Sequence, residues 1–221
     1  MPFLEFENRK ILFVHIPKTG GTSVEEWMKS IAPLRLFTIG IPKCAKTTAQ
    51  HFTIDDISHI FGSDFFDYKF AIIRNPFARI ESEYKMQHSM ALAKMRDRKN
   101  VGFPVFQNWL ESALNLAQTD PFAHDSHIRP QWEFIDPSVK IFRFEAGLKE
   151  IVAEICEDTG LPLPDHLPHL MGSSRFDGEI IWDENSLNRV RTFYMRDFQI
   201  FGYRDTHSGD LTDDVGDGQS A

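Results

Sequence analysis

Residues 13–23 read FVHIPKTGGTS, an apolar run that stops at a turn of small and polar residues. Ile11, Leu12, Phe13, Val14 and Ile16 make the nearly continuous hydrophobic run expected of a central parallel strand covered on both faces. Pro17 cannot donate to a sheet ladder, while Gly20 and Gly21 permit torsions and a close ligand approach that a Cβ would block. Thr22 or Ser23 can cap a helix running through Val24-Glu25-Glu26-Trp27-Met28, so that free N–H groups at its start face back over the strand end and favour an anion. Lys18 adds a full positive charge on a flexible stem. A plain strand-turn-helix connection with a surface lysine shares some of this pattern, but Lys, paired Gly and Thr-Ser within one turn favour a phosphate-cradling loop. The nucleoside triphosphate pattern G-x-x-x-x-G-K-[ST] sets its lysine after the glycines, whereas Lys18 precedes them.

The same logic recurs downstream. Tyr68-Lys69-Phe70-Ala71-Ile72-Ile73-Arg74 reads as a second strand, followed by Asn75 as helix cap and Pro76 at the first helical position. Arg74 ends the strand and Ser82 lies about two helical turns on, so both can reach one ligand, and the positive charge argues for an anion rather than a metal. Val139 to Phe144 alternates as a third strand, and Glu145 to Thr159 reads as a helix closed by Gly160. Further helices are expected after Thr53, which caps a first turn holding Asp55 and Asp56, from Pro104 to Thr119, and from Asn185 to Phe198. A short strand is expected around Arg35 to Ile39, and a long surface loop from Leu161 to Gly178. Strands alternating with helices predict an α/β fold.

At 221 residues, with 42% hydrophobic residues and twenty Phe, the chain suits one domain over residues 1–205, and an acidic, disordered tail is expected over 206–221. A net charge of -8 argues against a general nucleic-acid or anionic-membrane binder. Cys44 and Cys156 are too few for a disulfide framework, and no signal peptide or membrane anchor is visible, so a soluble cytoplasmic protein is expected. His124, His127, His166 and His169 lack a ligand set of metal-binding spacing. Lys94 to Lys99 is a basic cluster of the kind that usually forms a solvated helix end. His51, by pattern alone, is an ordinary loop histidine just outside a helix start.

FVHIPKTGGTS together with FAIIRNPFARIESEY resembles the two donor-binding signatures of sulfotransferases that use 3′-phosphoadenosine 5′-phosphosulfate, PAPS. QHFTIDDI, SHIRPQWEFI, VKIFRFEAGL and MRDFQIFGY are similar to stretches of the Golgi carbohydrate sulfotransferases acting on glycosaminoglycans and their compact bacterial relatives. The resemblance runs from Phe13 to Tyr203. It implies a P-loop-like three-layer fold, a central parallel sheet flanked by helices, and transfer of a sulfuryl group from PAPS to an acceptor hydroxyl on a carbohydrate or glycolipid, with 3′,5′-ADP as product and no metal. By position it implies that Lys18, Thr19, Gly20, Gly21, Thr22 and Ser23 form the 5′-phosphosulfate loop, that Arg74 and Ser82 hold the 3′-phosphate, and that Ser173, Ser174 and Arg175 close over the adenosine end. It makes His51 the general base and Lys18 the group that meets charge on the leaving phosphate. His15 lies within the first strand, and His127 and Glu145 stand next in line as bases. The chain departs from the pattern in lacking a Golgi-type anchor and in carrying Ala49 where some relatives have a second histidine. A nucleotide kinase and a non-catalytic anion- or glycan-binding protein on the same scaffold are the competing readings.

Overall fold

The computed structural model describes residues 1–37, 40–95, 103–167, 176 and 178–207. Ser173, Ser174 and Arg175, His169, the basic cluster from Arg96 onward and the acidic tail from residue 208 lie outside them. Among the described residues one sheet has the order β1-β2-β3-β4, formed by β1 (Phe3–Phe6), β2 (Arg9–Val14), β3 (Tyr68–Ile73) and β4 (Lys140–Arg143). β2, β3 and β4 are parallel, with Phe13 opposite Phe70 and Ala71 opposite Ile141. The expected parallel sheet needs one correction, because β1 is an antiparallel edge strand. Glu7 and Asn8 both have positive φ, as the tight primed hairpin turns require, and Asn tolerates that region well. The strand expected near Arg35 reduces, among described residues, to a single bridge from Arg35 to Phe3.

Alternation in the buried strands sorts the core into two faces. Ile11, Phe13, Phe70 and Ile72 pack under α1 (Gly21–Ile31) and α5 (Leu148–Thr159), while Leu12, Val14, Ala71 and Ile73 pack against α2 (Ile54–Phe61) and Phe201. Ile11 to Val14 are wholly buried, which is why this strand reads as a continuous hydrophobic run rather than an alternation. Burial of each such side chain contributes about 1.5–3 kcal/mol. A third cluster joins α3 (Pro76–Met95), α4 (Phe106–Thr119), α6 (Glu184–Phe193) and α7 (Met195–Phe201) through Phe77, Tyr84, Trp109, Val190 and Phe198.

Helix boundaries follow the caps. Thr53 accepts from the Asp56 amide and Asp56 accepts from the Thr53 amide, a capping box that starts α2. The Asn75 side chain accepts from the Phe77 amide at the head of α3. Two expected helices are broken. Gly147, at φ 95, separates a single turn over Phe144–Ala146 from α5, and Tyr194 divides the last helix into α6 and α7. Neither Thr22 nor Ser23 caps α1: Gly20, at φ 86, is the capping residue, and its carbonyl accepts from the Ser23 amide at 3.1 Å. The left-handed torsion needed there is one that glycine adopts without strain.

Candidate active site

The ends of β2 and β3, the start of α1 and the first turns of α3 enclose a cavity of about 320 Å³. It is lined by Lys18, Gly20, Gly21, Thr22 and Ser23 on one side and by Arg74 and Ser82 on another. The parallel strands therefore deliver both expected anion-binding groups to their C-terminal edge, where α/β sheets place ligands. Thr19 is the exception. Its side chain is fully buried and donates to the Ile16 carbonyl at 2.8 Å, so it shapes the loop without lining the cavity.

Lys18 has a positive φ of 70, and its Nζ donates to the Met86 thioether, a weak acceptor, at 3.3 Å. Burial pulls its ammonium below the ordinary lysine value, Glu83 opposes that and Arg74 adds to it. The Arg74 guanidinium lies 4.5 Å over the Phe144 ring and donates to the Lys18 carbonyl at 3.3 Å. Its main chain is fixed by Gln131, whose side chain accepts from the Arg74 amide at 2.9 Å and donates to the Arg74 carbonyl at 2.8 Å. Asp197, on α7, in turn accepts from the Gln131 and Trp132 amides.

His51 also lines the cavity and is 8% exposed. Its Nδ1 lies 2.9 Å from Asp125 Oδ2, while Asp125 also accepts from Thr47 Oγ1 at 2.6 Å, the Thr48 amide at 2.7 Å and Thr48 Oγ1 at 2.9 Å. Burial pushes the His51 imidazole down to about 4, against the opposing hydrogen bond from Asp125. Burial alone would raise the Asp125 carboxyl, but hydrogen bonds from His51, Thr47 and Thr48 hold it well below the usual carboxylate range. Both directions agree on an ionised carboxylate beside a neutral ring. The carboxylate selects the Nδ1–H tautomer and leaves the lone pair on Nε2, the arrangement a general base requires.

The backbone that presents Asp125 is strained. His124, Asp125 and Ser126 have φ of 52, 57 and 64, a run of left-handed non-glycine residues, each of which costs on the order of 1 kcal/mol. Such strain persists where surrounding bonds over-determine it, and here the four bonds to the Asp125 carboxylate do so.

Two further histidines reach the cavity. His15 Nδ1 lies 2.7 Å from Glu25 Oε1, and His127 Nδ1 lies 2.7 Å from Glu83 Oε2. The His51 ring stands edge-on between them, 5.2 Å from His15 and 4.9 Å from His127. His51 is therefore one of three histidines at this cavity, because the end of strand β2 and the turn after Phe122 bring His15 and His127 to it. His124 and His166 are exposed. Glu145 is absent from the cavity lining; it accepts from the Asn75 amide and the Tyr203 hydroxyl, a structural role. Arg79, 2% exposed, donates from Nε to the Pro17 carbonyl and from Nη2 to the His127 and Arg129 carbonyls, fastening the loop after β2 to the segment that carries His127.

The partners missed from sequence, Glu25, Glu83, Asp125, Arg79 and Gln131, come from four separate segments. The one signal available was Asp125 within His124-Asp125-Ser126-His127, polar residues flanked by aromatic ones. Among the described residues His51, Asp125 and His127 offer ligand atoms within 4.8 Å of one another. Asp125 already accepts four hydrogen bonds, one of which orients the His51 ring.

The model of the sulfotransferase family matches residues 1–169 of the chain, which span the loop after β2, Arg74, Ser82 and the three histidine-carboxylate pairs at the cavity. The chain belongs to the sulfotransferase family. No curated protein matches it significantly. Membership assigns this sulfotransferase to sulfuryl transfer onto a hydroxyl acceptor, and the P-loop-like α/β scaffold is that of the family. Among its described residues no helix is long and apolar enough to cross a membrane, and both cysteines are free.

Proposed function

We propose that this sulfotransferase moves a sulfuryl group from PAPS to a hydroxyl of a carbohydrate-like acceptor, with His51 as general base and 3′,5′-ADP as product. The observation that carries the reading is the shared cavity, in which two anion-binding strand ends meet an imidazole whose Nδ1 is held by a carboxylate. Lys18, the loop amides and the side chains of Thr22 and Ser23 bind the phosphosulfate, and Arg74 and Ser82 bind the 3′-phosphate.

In the reaction the acceptor oxygen attacks sulfur in line. The new O–S bond forms as the bond from sulfur to the 5′-phosphate oxygen breaks, and the leaving phosphate keeps the electron pair. The hydroxyl proton passes to His51 Nε2. Lys18 meets the charge that grows on the leaving oxygen, an interaction stronger in the transition state than in the ground state. The two free cysteines suit a reducing, cytoplasmic setting.

Incubation with sulfur-labelled PAPS and a panel of oligosaccharide, glycolipid and small-alcohol acceptors, in the presence of a chelator, tests this. Label should pass to a hydroxyl in step with 3′,5′-ADP release. A pure binding protein would retain PAPS without converting it. Magnesium-dependent phosphate release from ATP without PAPS binding would replace the reading with a kinase or NTPase.

A further inference from the structure

We propose that His15 is a second catalytic residue, which takes up a proton as the donor binds and donates a hydrogen bond from Nε2 to the phosphosulfate beside Lys18. The proposal rests on PAPS being the donor.

His15 follows β2 directly, is 7% exposed and lines the cavity. Its ring stacks on Phe13 at 5.3 Å, and its Nδ1 is held by Glu25, whose Oε1 also accepts from Gln50 at 2.9 Å. Burial alone would raise Glu25, but hydrogen bonds from His15 and Gln50 and the nearby histidines hold it below the usual carboxylate range. Glu25 is therefore an ionised acceptor, and Nδ1 carries a proton toward it.

Nε2 is the other polar end of the ring, and it faces Gly21. A Cβ built on Gly21 would overlap the imidazole, with Nε2 the nearest atom. Gly21 is the first residue of α1, where unpaired amides collect an anion, so the glycine admits a side chain into the anion site as well as a ligand. In a neutral ring with its proton on Nδ1, Nε2 is a lone pair, and an oxyanion brought against it would be repelled. Protonation turns that contact into a charge-assisted hydrogen bond, and Glu25 already balances the added charge. The groups facing the ring divide in sign. Glu25 on α1 favours the cation, Lys18 in the loop and any charge on His51 oppose it, and Phe13, Gln50 and Gly21 are neutral. An arriving phosphosulfate supplies the negative charge that tips this balance. The proton comes from solvent and stays on His15 while the sulfur leaves its phosphate oxygen, so the ring stabilises charge and His51 alone accepts the acceptor proton.

Two variants separate this role from mere support of Glu25. In His15→Asn the amide reproduces the Nδ1 donor toward Glu25 and lacks Nε2. In His15→Gln the amide reaches the Nε2 position and cannot titrate. PAPS binding without acceptor is measured calorimetrically near neutral pH in buffers of unlike ionisation enthalpy, with thermal melts as the check on folding. The wild type should take up as much as about one proton per donor, and both variants distinctly less. Turnover should fall about 10²-fold in His15→Asn, as for the loss of an oxyanion donor, and less in His15→Gln. Equal proton uptake in all three proteins would overturn the proposal, as would near-normal turnover in His15→Asn with His15→Gln the more damaged. Failure of the wild type to bind PAPS would remove the donor reading, and this proposal with it.

Discussion

Replacing Asp125 by Asn should lower turnover by about 10²–10⁴-fold while leaving PAPS affinity nearly unchanged. The substitution is close to isosteric, and Asn adopts the left-handed φ of 57 as readily as Asp, so the backbone need not move. What changes is one atom. The amide oxygen can replace Oδ1 and keep the bonds from Thr47 Oγ1 at 2.6 Å and the Thr48 amide at 2.7 Å. The amide nitrogen then stands where Oδ2 accepted from His51 Nδ1 and Thr48 Oγ1, both at 2.9 Å. Thr48 Oγ1 can turn and accept, but an Nδ1–H cannot face an N–H. The ring is forced to carry its proton on Nε2, and a base with its reactive nitrogen already protonated cannot accept another proton from the acceptor hydroxyl.

Loss of the base function sets the size of the effect on rate, since general-base catalysis contributes about 10²–10⁴-fold. The effect on stability should be smaller, about 1–3 kcal/mol, because one charge-assisted acceptor is lost and one donor is left mismatched. Rapid-mixing measurement of the chemical step, with the nitrogen resonances of His51 reporting the tautomer, separates the two. An unchanged chemical rate with the ring still protonated on Nδ1 would refute the argument. So would a loss of PAPS affinity as large as the loss of rate.

Three further outcomes are expected. The His51 imidazole should stay neutral as pH falls and titrate near about 4 rather than the ordinary 6.5; because its folded value is depressed, it contributes stability above pH 6.5 that is lost as pH falls toward 4, at most roughly 3 kcal/mol, and denaturation of wild type and His51→Gln across that window measures it, equal slopes counting against the shift. Arg74→Ala and Ser82→Ala should weaken PAPS far more than adenosine 5′-phosphosulfate, which lacks the 3′-phosphate; competition binding decides, and equal losses for both ligands would remove these residues from the 3′-phosphate site. Lys18→Ala should lower turnover more than it weakens 3′,5′-ADP, since its contact strengthens as the leaving oxygen gains charge, and unchanged turnover with weaker product binding would contradict that.

What sequence made legible was local. The run Ile11 to Val14 and the strand ending at Arg74 are visible because full burial on both faces leaves a continuous apolar signature, and Thr53 and Asn75 are visible because caps act within three residues. Strand β1 escaped because its signal, Glu7-Asn8 between short apolar runs, sits in a stretch whose charges read as a solvated terminus. The breaks at Gly147 and Tyr194 escaped because helical periodicity runs across both, and tertiary bonds decide them: Glu145, one turn before α5, is engaged with Asn75 and Tyr203, and the Tyr194 hydroxyl is engaged with the Ile128 carbonyl.

The carboxylates were illegible for a different reason: each partner lies at a sequence distance that no periodicity encodes. Glu25 is ten residues from His15, Glu83 is 44 from His127 and Asp125 is 74 from His51. Three carboxylates, Glu25 and Glu83 buried and Asp125 half-buried, would oppose the proposed phosphate donor if they stood free. Each is instead spent on the Nδ1 of an imidazole, which satisfies the acid and fixes the ring while leaving its second nitrogen for the cavity. Lys18 and Arg74 then supply positive charge in the same cavity, at the two positions proposed for the phosphates. The spacing between these groups depends on Arg79, whose buried guanidinium bonds the Pro17 carbonyl at the head of the loop after β2 and the His127 and Arg129 carbonyls in the segment that carries His127. A lysine ends in a single nitrogen, which cannot stand at both the Nε and the Nη2 positions, so Arg79→Lys should loosen both segments together and impair donor binding and base positioning at once, even though Arg79 is absent from the cavity lining.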